Sequence, residues 1–461
     1  MARFLILLLY NLLYPPAMLL MAPSALMKLR ARGGKVSSLW QRLGFFDADT
    51  KQKISALRER GPVWWMHAVS VGEVGVAARL IKEVISQRND LGIVLSTTTP
   101  TGYALAQNLA AEFPGAVLPI YNPLDGWFIV RRCLRLIAPQ RLVLVEAEVW
   151  PNLVFAARQR GVGVVLVNAR LSPRSERRYG RALTLVRPIF SMLGRVFVQE
   201  IEDIARWEKL GVFSSSITCS GSIKYDTAGG TEPLEQAVML GALLEKMGWG
   251  SDDPVLLAAS THSGEEAAIT KIFTHVRSFI SRLRLIIVPR HAERADKVEQ
   301  ELHDMGISVM RRSALGLKLQ ASSIKFPTDI LLVDTTGELR AWQHHATAVI
   351  VGKSFLGKGG QNPAEAIMAG KPVLFGPHME NFTPLVRQLL AARGAVQVQD
   401  FAGLETRLRE LFTDPASVAE FTTNGLQALR IHEGATSRIA SALLGQDNQS
   451  QDKNPLANFA T

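Results

Sequence analysis

Glu73 stands after Gly72 in the stretch HAVSVGEVG, where the apolar run PVWWM gives way to a helical pattern. A carboxylate in that setting has two uses. Within reach of a hydroxyl it is a general base, and Gly72 removes the side chain that would obstruct a substrate. As a first-turn acid it is only an electrostatic partner of the helix dipole. Further along, EAEVWP puts Glu146 and Glu148 directly after the run RLVLV, and GSIKYD carries Lys224. PRH supplies Pro289 and Arg290, DTTGEL supplies Thr336, Gly337 and Glu338, and GKGGQNPAEA supplies Asn362, Pro363, Ala364 and Glu365. In this last stretch the glycines expose backbone amides, Asn362 can cap a helix and Pro363 suits its first turn. Such an N-terminus attracts an anion, phosphate above all. Glu365 repels phosphate and suits a ribose or a base, while the plain alternative is an ordinary capped helix after a glycine turn.

Other chemistries find less support. Ser70 in AVSVG approximates the G-x-S-x-G nucleophile elbow, with Ala68 at the first glycine, and His262, His291 and His378 follow, so spacing alone leaves a hydrolase open. No Walker A sequence occurs, and no G-x-G-x-x-G leads from a strand into a helix, which disfavours ATPases and dehydrogenases. The nine histidines show no H-E-x-x-H or Cys/His ligand spacing, so no metal site and no cofactor are expected. Cys133 and Cys219 read as isolated, buried, reduced thiols. Basic residues are not interleaved with aromatics as in RNA-binding modules, so no nucleic-acid partner is expected.

The elements that must position these residues form an α/β rhythm. VWWMHAV, GIVLST, AVLPI, RLVLVE, VVLVN and RVFVQ alternate with amphipathic segments, and the pattern restarts at SITCSGS and continues through PVLLAAS, LRLIIVP, ISVM, DILLVD, TAVIVG and KPVLFG. Two doubly wound domains facing a cleft are expected, with the polar residues at the carboxyl ends of the strands where such sheets bind ligands. The expected boundaries are an N-terminal anchor and basic segment at 1–32, domains at 33–215 and 216–445, and a disordered tail at 446–461.

Residues Phe4 to Met27 carry no charge and as a helix would reach roughly 36 Å, enough for a hydrocarbon core of about 30 Å. Pro15 and Pro16 interrupt a helical ladder, so the segment either spans or lies bent in one leaflet. Lys28, Arg30, Arg32 and Lys35 follow it, which places the body on the cytoplasmic side. The net charge of +11 is concentrated: nine Lys or Arg lie between Lys28 and Arg60, and six Arg between Arg170 and Arg187. Such patches attract an acidic lipid surface or a phosphorylated lipid. The remaining composition, 47% hydrophobic and 20% charged, is that of a folded protein.

HAVSVGE, STTTPTGY, EAEVWPNL, NARLS, GSIKYD, STHSGEE, PRHAER, DTTGEL and GGQNPAEA occur in the order of the 3-deoxy-D-manno-octulosonic acid (Kdo) transferases, a family that this chain resembles from the N-terminal anchor to about residue 430. The resemblance implies a GT-B architecture of two Rossmann-like domains, CMP-Kdo as donor and a phosphorylated lipid A precursor as acceptor, at the bacterial inner membrane. Carried over by motif, Glu73 resembles the catalytic base, and Glu146 and Lys224 match positions that stabilise the transition state. Pro289, Arg290, Thr336 to Glu338 and Asn362 to Glu365 match the CMP-contacting segments. Three positions depart from the family pattern: Ala147 in Glu-Ala-Glu, Lys353 in Gly-Lys-Ser and Gln361 in Gly-Gly-Gln-Asn. They bear on donor affinity rather than reaction class. The alternatives are a GT-B enzyme with another nucleotide sugar, a nucleotide-sugar epimerase, or an anchored, catalytically silent module that recruits acidic lipids.

Overall fold

The computed structural model describes residues 2–31, 38–171, 173–226, 232–318 and 328–447. Arg32 and Lys35 of the basic stretch, and the tail beyond 447, lie outside the described residues. The chain divides into two compact units, 1–226 with 434–461 and 227–433. Each contains one seven-stranded sheet whose strand pairs are all parallel.

In the first unit the strands are β1 (Val63–His67), β2 (Gly92–Thr97), β3 (Val117–Tyr121), β4 (Arg141–Val145), β5 (Gly163–Ala169), β6 (Arg195–Val198) and β7 (Ile217–Cys219). Their order is β3-β2-β1-β4-β5-β6-β7. Helices cover both faces, so the strands read as nearly continuous apolar runs. Trp64 and Trp65, neighbours on β1, are both fully buried and enter opposite cores, Trp65 among Leu142, Leu144 and Leu166, Trp64 among Leu80, Ile93 and Val143.

The second unit holds β8 (Val255–Thr261), β9 (Arg284–Pro289), β10 (Met310–Arg311), β11 (Ile330–Leu332), β12 (Ala348–Val351), β13 (Val373–Phe375) and β14 (Val396–Gln397), in the order β10-β11-β9-β8-β12-β13-β14. Its core gathers Leu256, Ile269, Phe273, Leu285, Ile350 and Leu374.

Two expected boundaries are corrected. The break at 215/216 falls inside the first unit, because SITC supplies β7, which pairs with β6 through Val196–Ile217 and Val198–Cys219. The second unit also ends before 445. The C-terminal helix, Ala435–Asp447, packs on the Val71–Gln87 helix of the first unit and buries Ile439, Ala440 and Leu443 there. It also includes Gln446 and Asp447, the start of the expected tail. Both cysteines are free, Cys133 buried and Cys219 half-buried.

The N-terminal helix, Ala2–Ala31, continues through Pro15 and Pro16, and its segment Arg3–Ser24 is long and apolar enough to cross a membrane. Its first half is nonetheless bound to the first unit along one face. Arg3 donates to the Pro188 carbonyl (3.1 Å) and Ser191 Oγ (3.2 Å), and Leu7 is buried. Asn11 and Asn152 exchange two amide hydrogen bonds of 2.9 Å, and Tyr14 Oη accepts the Asp125 N–H at 3.0 Å. Spacings of four, four and three place these residues on a single helical stripe.

The C-terminal return is fastened by Asp226, whose carboxylate accepts the N–H groups of Gly434 and Thr436, each at 2.8 Å. Removing a carboxylate that satisfies helix N-terminal donors costs about 1–2 kcal/mol. Asp226→Ala is therefore expected to lower the unfolding free energy by that amount, seen as a lower urea midpoint by circular dichroism. An unchanged midpoint would show that apolar packing alone holds the C-terminal helix.

Candidate active site

Strand order reverses between β1 and β4 in the first sheet, and the crevice at such a reversal is where doubly wound sheets bind ligands. Glu73 follows β1 and Glu146 follows β4, so both lie at that point. Ser70 is the N-cap of the Val71–Gln87 helix, its Oγ accepting the Glu73 N–H at 3.3 Å. The Glu73 carboxylate reaches back over the same turn: Oε1 accepts from Ser70 Oγ and Oε2 from the Val69 N–H, both at 2.8 Å. This is a variant of the S-x-x-E capping box. It fixes the carboxylate at the helix mouth and shows Ser70 as its orienting partner.

Glu146 turns the chain after β4 in a left-handed conformation, φ 64°, with its N–H on the Val167 carbonyl at 3.0 Å. That region costs a non-glycine residue about 1–2 kcal/mol. A glutamate at such a place points to a role for its side chain. Glu146 Oε1 is paired with Lys224 Nζ. Lys224 sits in the short 3₁₀ turn Ile223–Tyr225, held from two sides. The Asn168 Oδ1 accepts the Ile223 N–H at 2.9 Å and the Ser222 hydroxyl at 3.2 Å, while Arg79 Nη1 donates to the Ile223 carbonyl at 2.8 Å. Since β7 and this turn belong to the first unit, so does Lys224.

Three carboxylates thus interact with one another, and two of them, Glu73 and Glu146, with Lys224. Burial raises the Glu73 pKa and the Glu146 charge adds to it, against the opposing pull of the Val69 N–H, Ser70 and Lys224. Glu148 is pushed up to about 7 by burial first, then by Glu73 and Glu146. Beneath them His67 is fully buried with Nδ1 3.0 Å from Ser96 Oγ, and desolvation depresses its pKa to about 4, so its imidazole is neutral.

In the second sheet the order reverses between β8 and β12. Glu265, fully buried, bridges that reversal: its carboxylate accepts the N–H of His262 (2.9 Å), Lys353 (2.7 Å) and Phe355 (3.2 Å). Gly352 is obligatory here, because a Cβ would overlap the Ser260 carbonyl oxygen. Glu266 is likewise buried and takes Thr261 Oγ1 at 2.9 Å and Arg294 Nη1 at 2.7 Å. Both glutamates lie in STHSGEE, yet neither was singled out from the sequence. The signal was available, as two adjacent acids open a helix directly after a strand.

The expected donor residues occupy the same strand ends. Pro289 is buried at the end of β9, and Arg290 is exposed beyond it, its N–H on the Thr261 carbonyl at 3.0 Å. Thr336 and Gly337 are exposed after β11. Glu338 is buried and saturated, receiving Arg312 at 3.0 and 3.1 Å, Thr335 Oγ1 at 2.7 Å and Trp342 Nε1 at 3.2 Å. Its carboxylate therefore braces the loop rather than standing open. Asn362 Oδ1 accepts the Ala364 N–H at 3.1 Å, but the helix that follows, Ala364–Met368 with Pro363 as its N-cap, has only five residues. Its dipole is correspondingly short. Glu365 pairs with Arg340 at 3.3 Å, which joins the 336–340 and 362–365 segments. Among the three departures, Gln361 Nε2 lies 3.2 Å from His262 Nε2, and Lys353 adopts a left-handed conformation, φ 57°.

Unfolded, the Glu148 carboxyl titrates near 4.5; folded, near 7. Between these values the folded state holds the extra proton, so this group makes stability fall as pH rises through that window. Glu148→Gln is expected to gain stability over the parent, by on the order of 1 kcal/mol, on going from pH 4.5 to pH 8 in urea titrations. A parent-to-variant difference equal at both pH values would mean that Glu148 ionises as an ordinary carboxyl.

The family described as 3-Deoxy-D-manno-octulosonic-acid transferase (kdotransferase) matches residues 37–227. The chain is 35% identical to a 3-deoxy-D-manno-octulosonic acid transferase of Bordetella pertussis and 31% identical to one of Haemophilus influenzae, each alignment covering 82% of this chain and 86% of the relative. Among solved structures, UDP-GlcNAc 2-epimerase from Neisseria meningitidis superposes with a TM-score of 0.54 at 12% identity, covering 83% of this chain and 100% of that one. That likeness is one of fold and bears out the GT-B architecture. The chain belongs to the 3-deoxy-D-manno-octulosonic acid transferase family of glycosyltransferases.

Proposed function

We propose that the chain transfers Kdo from CMP-Kdo to a hydroxyl of a phosphorylated lipid A precursor, at the cytoplasmic face of the bacterial inner membrane, by an inverting single displacement. One observation carries the reading: Glu73, held by the capping box, and the Glu146–Lys224 pair occupy the reversal point of the first sheet. The acceptor hydroxyl oxygen attacks the anomeric carbon while its proton passes to Glu73. The anomeric C–O bond breaks, and its electron pair leaves on the phosphate of CMP.

Glu73 suits the role of base because burial and Glu146 raise its proton affinity above that of a free carboxylate. Each of its oxygens accepts one hydrogen bond from its own helix mouth and keeps a lone pair for the incoming proton. Lys224 provides positive charge where negative charge moves. Arg290, Thr336, Gly337 and the Asn362–Glu365 segment are the donor contacts in the second unit, with Glu338 bracing them. The N-terminal helix and the basic stretches at 28–60 and 170–187 would concentrate the enzyme on the membrane that holds its acceptor.

Glu73→Gln tests this assignment, since glutamine is compatible with a capping box and the fold is kept. Transfer should fall by about 10²–10⁴-fold, while CMP-Kdo binding, followed by thermal shift, stays close to the parent value. Full activity in the variant removes Glu73 from the mechanism. In parallel, the detergent-extracted protein incubated with CMP-Kdo and the tetraacyl disaccharide bisphosphate should give product masses raised by one or more Kdo increments. No increment with CMP-Kdo, together with stabilisation by UDP-sugars, would redirect the donor assignment.

A further inference from the structure

An open groove of about 490 Å³ lies in the first unit between the N-terminal helix and the start of the Trp127–Ile137 helix, outside the carboxylate site. Leu7, Leu8, Pro15, Trp127, Phe128 and Phe155 line it. Phe128 is 85% exposed and Leu8 57%, although nothing polar would hold either side chain in water. One wall of the groove is fixed, since Asn11 and Tyr14, which also line it, are bonded to Asn152 and Asp125.

Cationic side chains adjoin the groove behind Trp127, which lines it. Trp127, Arg131 and Arg135 follow one another at i, i+4 and i+8 along one helix face. The Arg131 guanidinium sits 4.9 Å from the centre of the Trp127 ring, and Arg160 Nη2 donates to the Arg131 carbonyl at 3.4 Å. The three arginines are close enough that Arg131 and Arg135 add to the burial that depresses the Arg160 pKa. Among the described residues no carboxylate forms a salt bridge with any of them. Arg131 Nη1 also donates to Gln159 Oε1 at 3.3 Å, which leaves its charge unneutralised. Guanidinium charge next to the Trp127 end of an apolar groove matches one ligand chemistry, an acyl chain joined to an anionic phosphate.

We propose that this groove binds one anionic phospholipid of the surrounding bilayer, an acyl chain between the N-terminal helix and Phe128 and the headgroup phosphate on Arg131, Arg135 and Arg160. The lipid would complete the apolar surface that the docked helix leaves open. The proposal is independent of the transfer reaction, because bound lipid is read without turnover.

The full-length chain in neutral detergent, titrated with phosphatidylglycerol or phosphatidylcholine and weighed by native mass spectrometry, should retain one phosphatidylglycerol with at least a tenfold preference. The triple variant Arg131→Gln, Arg135→Gln, Arg160→Gln should lose the preference. Leu8→Trp, a change at an exposed position that fills the groove, should lose retention of both lipids. Equal retention of the two lipids by the parent chain overturns the proposal, as does a preference unchanged in the triple variant or retention unchanged in Leu8→Trp. In a competition arm, displacement of phosphatidylglycerol by equimolar tetraacyl disaccharide bisphosphate would assign the groove to an acceptor chain, and that also overturns it.

Discussion

Parallel strands can be joined only by crossovers, and right-handed crossovers carry a chain to one edge of its sheet before it returns to fill the other. That constraint organises both units. In the first, β1, β2 and β3 run outward and β4 comes back beside β1; in the second, β8, β9, β11 and β10 fill one side and β12 comes back beside β8. At each return the loops leave in opposite directions and expose the ends of two central strands. Glu73 and Glu146 stand at one return, Glu265 and Lys353 at the other. The two returns are used differently. The first buries neighbouring carboxylates beside Lys224, and burial together with their mutual repulsion raises carboxyl proton affinity against the pull of the lysine. The second spends a buried glutamate on three backbone N–H groups, so its loops are held rigid while Arg290 and Thr336 stay open to solvent.

Much of this was legible in the residues because parallel strands buried on both faces announce themselves as apolar runs, and polar clusters directly after them mark the ligand edge. The fold class and the neighbourhood of Glu73 follow from that. Which sheet a strand joins does not, since pairing is a long-range contact. SITCSGS reads equally well as the last strand of one sheet or the first of the next, and only its pairing with β6 decides. The two-residue strands β10 and β14 are too short for any period. The Glu146–Lys224 pair spans 78 residues and needs the folded turn at Ile223 to exist. Two local signals are readable in the residues, the paired acids of STHSGEE and the spacing of Ser70 and Glu73. Ser70 and Glu73 have capping-box spacing, so the serine is better read as the partner of the carboxylate than as a competing nucleophile.

The N-terminal helix shows how composition can be right about a segment's character and silent about its attachment. Twenty-two residues pass for a membrane span, but Asn11, Tyr14 and Arg3 are misplaced for one whose whole circumference meets lipid. They form a polar stripe that bonds to the Pro151–Gln159 helix, to Asp125, which caps that helix, and to the Leu183–Phe190 helix. Asp125 is fully buried, and desolvation pushes its carboxyl up to about 7. The Pro151–Gln159 helix starts directly behind Glu146 and Glu148, so the N-terminal helix and the carboxylate loop are attached to the same short rod.

Asp226 and Gly434 touch through a single hydrogen bond, yet 207 residues of the second unit lie between them in the chain. The second unit is thus an insertion that leaves and re-enters its host at one doorway. During synthesis the host's sheet emerges first, but the Val71–Gln87 helix waits for the C-terminal helix until the whole second unit has been made. The guest can mature on its own schedule, and the host seals after it, which makes the docking of Ile439, Ala440 and Leu443 a checkpoint that is reached only once the guest has been made.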